Sequence, residues 1–230
     1  MKKTLLVTAA LMTVAISGSV YANREADFQK AIELGKRGDY RSAENQFTRL
    51  VGAKGERDAA KMYYNRGVMR YKQGRIKEAI DDFSEATYLN KQYMPAYFNR
   101  GTAYLKQGEY EKAISDFTRS IELKPDASEA YLNRAKAHLE LKQNELAIKD
   151  YDAAIEIKPD CVEALYSKGV VFSMKGNLDE AIQSYSRVIE INPSYAKAYF
   201  QRALMRERNG DEKNAYADFM QAGLLGSRSR

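Results

Sequence analysis

Cysteine is almost missing from this 230-residue sequence: Cys161 stands alone, so neither an internal disulfide framework nor a cysteine-based zinc site can be built. His138 is the only histidine, which removes most histidine-ligated metals and most histidine-based triads. Tryptophan is absent, and with Pro 4 and Gly 14 the chain is neither collagen-like nor linker-like. No glycine-rich phosphate loop, GxSxG or HExxH occurs. Asp81 and Asp82 are adjacent, but neighbours on a helix point about 100° apart and cannot flank one bond. No catalytic residues, cofactor, metal or enzymatic activity are therefore expected. What the sequence has in excess is tyrosine, at 17.

The N-terminus reads as a leader. Lys2 and Lys3 precede an uncharged apolar run from Leu5 to Ile16, broken by Ser17-Gly18, and Val20-Tyr21-Ala22 supplies a small-residue cleavage site. A membrane span needs about 20 apolar residues, so this run is short for one. The expectation is a signal peptide over 1–22, cut after Ala22, with the mature chain at 23–230 in the periplasm of a bacterium, or secreted as second choice. Losing 1–22 removes two lysines and no acid and takes the net charge from +6 to +4. That is too mildly basic to suggest a nucleic-acid partner.

The rest of the chain is periodic. Tyr63-Tyr64-Asn65-Arg66-Gly67 recurs 34 residues on as Tyr97-Phe98-Asn99-Arg100-Gly101, and Ala79-Ile80 recurs at Ala113, Ala147 and Ala181. Contiguous units run 60–93, 94–127, 128–161, 162–195 and 196–229. A more divergent one fits 24–57, with Asp58 and Ala59 inserted. Each reads as two helices around a turn, with Gly38, Gly74, Gly108, Gly176 and Gly210 at the turn and Lys142 as the exception. Counting from the start of each unit, position 8 is Gly or Ala throughout and position 20 is always Ala. Position 24 is aromatic: Phe47, Phe83, Phe117, Tyr151, Tyr185, Phe219. Small residues facing large rings imply two helices in close approach. Positions 4, 8 and 11 of the first helix are expected to form the inter-helix core.

This pattern closely resembles the tetratricopeptide repeat family. The resemblance implies an all-α, right-handed solenoid of six helix-turn-helix units, whose first helices line a concave groove. It departs from the family at Lys142, at Lys91 where a closing proline is expected, and in the weak first unit. Residues 223–230 are also too short and glycine-rich for the polar capping helix that often follows.

Within the groove, position 5 reads Phe28, Tyr64, Phe98, Leu132, Tyr166, Phe200, and position 6 carries Asn65, Asn99 and Asn133. Rings offer apolar pockets, and a carboxamide can pair with a peptide N–H and C=O without reading side chains. Family members that hold extended peptides use a similar asparagine ladder. The family's carboxylate clamp needs Lys at position 5, which is absent. These residues are the candidate site for a protein or peptide segment, which makes the chain a non-catalytic scaffold or adaptor. Position 7 is Arg where position 23 is Asp (66/82, 100/116, 134/150, 202/218) and Lys in the two units lacking it. That is read as a repeated structural ion pair. Two alternatives stay open: a homodimer through the last helix, which carries Phe219, Ala222, Leu224 and Leu225, as a structural protein of the cell envelope, and a non-catalytic binder of cell-wall polymer.

Overall fold

The computed structural model describes residues 23–52 and 58–227; the expected leader, 1–22, lies outside them. All regular structure among the described residues is helical. The chain divides into two compact units, Met1–Gly108 and Glu109–Arg230. The first holds α1 (23–36), α2 (Tyr40–Gly52), α3 (Ala59–Lys72), α4 (Ile76–Leu89) and α5 (Met94–Gln107). The second holds α6 (Tyr110–Leu123), α7 (Ser128–Glu140), α8 (Asn144–Ile157), α9 (Val162–Lys175), α10 (Leu178–Ile191), α11 (Ala196–Arg208) and α12 (Glu212–Ser227). From α2 to α5, and again from α6 to α12, each helix packs on the next. The all-α fold of packed helix pairs implied by the period is the fold observed. None of the described helices is long and apolar enough to cross a membrane.

Turn chemistry sets where the helices stop. Five turn glycines adopt left-handed φ between 78° and 84°, a region open to glycine without a Cβ penalty. Lys142 takes the same conformation at φ 58°. α6, α8 and α10 end two residues before Pro125, Pro159 and Pro193, which cannot continue a helix. After α4, where Lys91 replaces that proline, Asn90 closes the turn: its Oδ1 accepts the Gln92 N–H at 2.9 Å.

The small-to-large contact is direct. A Cβ added at Gly67 would lie 2.8 Å from Phe83 Cε1, and one at Gly169 would lie 2.7 Å from Tyr185 Cε1. The buried face of the first helices is wider than the expected stripe at positions 4, 8 and 11. Position 3 is fully buried as Ala96, Ala130, Ala164 and Ala198, and position 10 is buried as Met69, Ala103, Ala137, Val171 and Met205. Position 11 is no uniform apolar position: Arg70, His138 and Arg206 stand there. The reason is that α3, α7, α9 and α11 each meet two neighbours, their own partner and the second helix of the preceding pair, so two arcs are buried instead of one.

Ion pairs stitch these contacts. Arg66–Asp82, Arg134–Asp150 and Arg202–Asp218 form at 2.7, 2.7 and 2.8 Å, each through two guanidinium nitrogens. The fourth pair, Arg100 and Asp116, falls on either side of the division between units. The basic residue also reaches back to position 25 of the preceding pair. Arg100 donates to Ser84, Arg134 to Thr118, Arg202 to Ser186, and Lys168, which has no Asp at position 23, to Asp152. His138 is a satisfied core residue, 2.6 Å from Gln143 Oε1, and Cys161 is a half-buried free thiol.

Lys142 holds a conformation that costs an L-residue about 1–2 kcal/mol, partly offset by the entropy a glycine would lose on folding. Lys142→Gly is therefore expected to stabilise the protein by about 0.5–1 kcal/mol. A rise in the urea midpoint at unchanged slope checks it; no change or a fall refutes the account.

Candidate functional site

The candidate residues fall in two groups, one per unit. In the first unit, Tyr64 projects from α3 and packs its ring on Phe83 of α4, with centroids 5.9 Å apart, and edge-on to Tyr93 at 5.3 Å. Asn99 of α5 donates Nδ2–H to the Tyr64 hydroxyl at 2.9 Å. This lock joins one ring to one carboxamide of successive helix pairs. Burial pushes the Tyr64 phenol above its usual pKa, against the lowering effect of the Asn99 hydrogen bond. Asn65 instead donates to its own helix, to the Lys61 carbonyl at 2.8 Å. Phe28 is half-buried with its ring edge-on to Phe47 at 5.7 Å, and Phe98 is half-buried.

Beside the lock lies a cleft of about 130 Å³, lined by Val68, Tyr71, Lys72, Phe83, Asn99 and Thr102. Its floor is apolar and its rim polar. The Lys106 ammonium sits over the Tyr71 ring at 5.3 Å, which places a second cation at the same edge as the exposed Lys72. Lys72 and Lys106 both stand at position 13 of their units. Val68 and Thr102, both at position 9, line this cleft from α3 and α5.

In the second unit the candidates separate. Leu132 is buried at 7% exposure and belongs to the core with Tyr151 and Val171, so it lines no groove. An aliphatic side chain packs into that space where the other position-5 residues are rings. Asn133 accepts from Lys136 at 3.3 Å, and Lys136 pairs with Glu163. Tyr166 packs on Tyr185 and Tyr195 at 5.6 and 5.5 Å. Phe200 leans edge-on against Phe219 at 5.7 Å yet keeps 47% of its surface exposed. An open cleft of about 660 Å³ lies here, lined by Tyr166, Lys197, Phe200, Gln201, Phe219 and Ala222 among others. The position-5 side chains are thus a set of intrachain ring pairs, half-buried in most units, and not a bare aromatic ladder.

Comparison with known proteins agrees with this architecture. Residues 28–93, 98–160 and 162–195 match family models described as tetratricopeptide repeat. These spans cover well over half of the sequence, and the chain belongs to the tetratricopeptide repeat family. A tetratricopeptide repeat protein from Parabacteroides merdae is 24% identical, with TM-score 0.74 over 88% of this chain and 79% of that one. The 41-to-end portion of MamA from Desulfovibrio magneticus RS-1 is 24% identical, with TM-score 0.70 over 76% and 99%. YrrB, described as a TPR protein with an unusual peptide-binding site, is 21% identical, with TM-score 0.67 over 78% and 91%. At these identities the likeness is one of fold. No curated protein matches the sequence. Proteins of this fold are generally interaction scaffolds without catalysis.

Tyr185 carries a testable consequence of the ring pairs. It is fully buried and no group among the described residues hydrogen-bonds its hydroxyl. Burial, with a smaller effect of Tyr166, raises its pKa above the ordinary 10.0. Tyr185→Phe, matching Phe47 and Phe83 at the same repeat position, is expected to stabilise the protein by about 1 kcal/mol at neutral pH. Above about pH 10 the unfolded chain ionises this phenol before the folded protein does, so wild-type stability falls with rising pH. The variant should lose less over that range. Parallel pH profiles in urea titrations would refute the assignment.

Proposed function

We propose that the chain is an exported, non-catalytic adaptor that holds an extended segment of a partner protein, anchored in the first-unit cleft. The observation that carries this reading is the size and lining of that cleft. Small-molecule sites run from about 300 Å³ upward. A cleft of about 130 Å³ is close to the volume that admits one benzene-sized group. It suits one apolar side chain of a longer segment. Asn99 spends one N–H on Tyr64 and retains, as an amide, a second N–H and a carbonyl for a passing backbone. Lys72 and Lys106 favour a carboxylate next to that anchor. The peptide-binding site described for YrrB, a protein of the same fold, supports the reading. The leader-like pattern at 2–22 supports export to the periplasm.

On an array of decapeptides pairing one large apolar residue with flanking Asp or Glu, binding should exceed that of Lys-flanked versions. Asn99→Ala should weaken the best peptide about tenfold, and Lys72→Glu should abolish the acidic preference. Equal affinity of wild type and both variants for that peptide removes the cleft from the site. Export is checked separately by mass spectrometry of the periplasmic fraction. The expected N-terminus is Asn23, and a chain retaining Lys2 and Lys3 in the cytoplasm overturns the assignment.

A further inference from the structure

The second helices repeat a chemistry that the last one abandons. Position 25 is Ser84, Thr118, Asp152 or Ser186, and each accepts a hydrogen bond from the position-7 base of the following helix pair. In α12 that position is Met220, 51% exposed. Position 29 is Glu122, Glu156 and Glu190 in α6, α8 and α10, but Leu224, 56% exposed, in α12. Position 21 is a partly buried Ile in α4, α6, α8 and α10, but Tyr216, 68% exposed, in α12. Residues 216, 220 and 224 are spaced by four and form one stripe along the helix. Phe200, 47% exposed, and the 660 Å³ cleft with Phe219, Ala222 and Gly223 belong to the same helix pair.

Charge is missing from the α12 stripe, while Lys197 of α11 lines the neighbouring cleft. Between Asn214 and Ser227 the only charged residue is Asp218, which is buried and held by Arg202 and Arg206. Gly223 adds a second observation. It has no left-handed φ, and a Cβ there would meet nothing within 4 Å, so nothing in the chain's own packing requires a helix-weakening glycine. Gly67 and Gly169, by contrast, each face a ring.

We propose that this charge-free face of α12 binds the same face of a second copy, forming a closed two-fold dimer with Gly223 at the close approach of the two α12 helices. The inference stands independently of the peptide-binding cleft. Two uncharged faces bury each other without stranding a charge, and a two-fold contact sets no like charges together. Another helix pair of this array is not the intended occupant, because Met220 removes the acceptor that its basic residue needs. Nor does the first helix of a second copy fit. Where the inner helices carry partly buried Tyr or buried Leu at position 4 and buried Ala, Val or Met at position 10, α1 presents exposed Asp27 and Glu33. Head-to-tail growth into filaments is thereby disfavoured, and the closed pair remains.

Sedimentation velocity on the purified full chain, from about 1 to about 100 μM, should show a concentration-dependent shift to twice the chain mass and no further. Tyr216→Lys/Met220→Lys, at exposed positions, should weaken dimerisation at least tenfold with the helical circular dichroism unchanged. Gly223→Leu should weaken it similarly while leaving thermal unfolding of the monomer no lower. A monomer at every concentration overturns the proposal, including the case where the stripe binds a helix of another protein. A dimer unaffected by these substitutions, or a series of species beyond the dimer, overturns it as well.

Discussion

The fold rests on a missing side chain opposite a large one. Where position 8 is glycine, the ring at position 24 fills the space a methyl group would have taken, and an added Cβ would come within 3 Å of that ring at Gly67 and Gly169. The alanines at position 20, almost all of them fully buried, keep the second helix slim at its crossing. Interiors pack at crystal-like density, so such a contact is close to all-or-none. It sets the spacing of each pair, and the spacing sets what lies above it. The position-24 ring is the floor on which the position-5 ring rests, and in the first unit that floor is also the bottom of the cleft. A repeat protein adds stability pair by pair through contacts of this kind.

Buried charge contributes geometry more than energy. A guanidinium fork engaging an aspartate from two nitrogens admits few relative placements of its helices. Replacing such a pair by apolar side chains is often neutral, whereas removing one member is costly. The Arg–Asp pairs are therefore read as registers: they hold α3, α7 and α11 against their partners, and through Ser84, Thr118 and Ser186 the position-7 arginines hold α5, α7 and α11 against the pair before. The first unit adds a local variant. Glu44, at a position that is Ile in most units, accepts from Arg70 and Gln73 and pairs with Arg75. Burial raises the Glu44 pKa, but these partners outweigh it and hold the carboxyl below its usual value. Glu44 therefore keeps its charge, and this contact, until the pH falls below the ordinary carboxylate range.

Much of this was legible in the sequence, because the period repeats every structural demand. Turn positions, the small-to-large pairs and the coupling of Arg to Asp all follow from residues that change together at a spacing of 34. What stayed hidden depends on a third helix. A wheel drawn for one helix shows one apolar stripe, so it missed the buried alanines at position 3 and placed position 5 in open solvent. Leu132 is the clearest case, a residue read as groove lining that packs into the core. Asn65 and Asn99 occupy the same repeat position, yet one turns back to its own helix and the other reaches Tyr64. Nothing at the position itself separates them; the difference lies in the position-5 residue of the preceding unit, Tyr64 with its hydroxyl in one case and Phe28 with none in the other.

This contrast bears on where function resides in a repetitive chain. Residues that recur in every unit answer a demand that recurs in every unit, and that demand is packing. A residue that breaks the period answers something local. By that criterion the informative positions are the lysines at 72 and 106, with Glu140 and Met174 at the same place further on, and the apolar substitutions at 216, 220 and 224. The first set alters the rim of a cleft whose floor is common to other units. The second removes the hydrogen-bond acceptor that α4, α6, α8 and α10 retain at position 25 and the acid that α6, α8 and α10 carry at position 29. Neither change improves the fold: exposed Tyr216 and Met220 gain no burial within the chain, and the two lysines lie at the surface. Departures that cost the fold something and return nothing to it are best explained by a surface that another molecule covers.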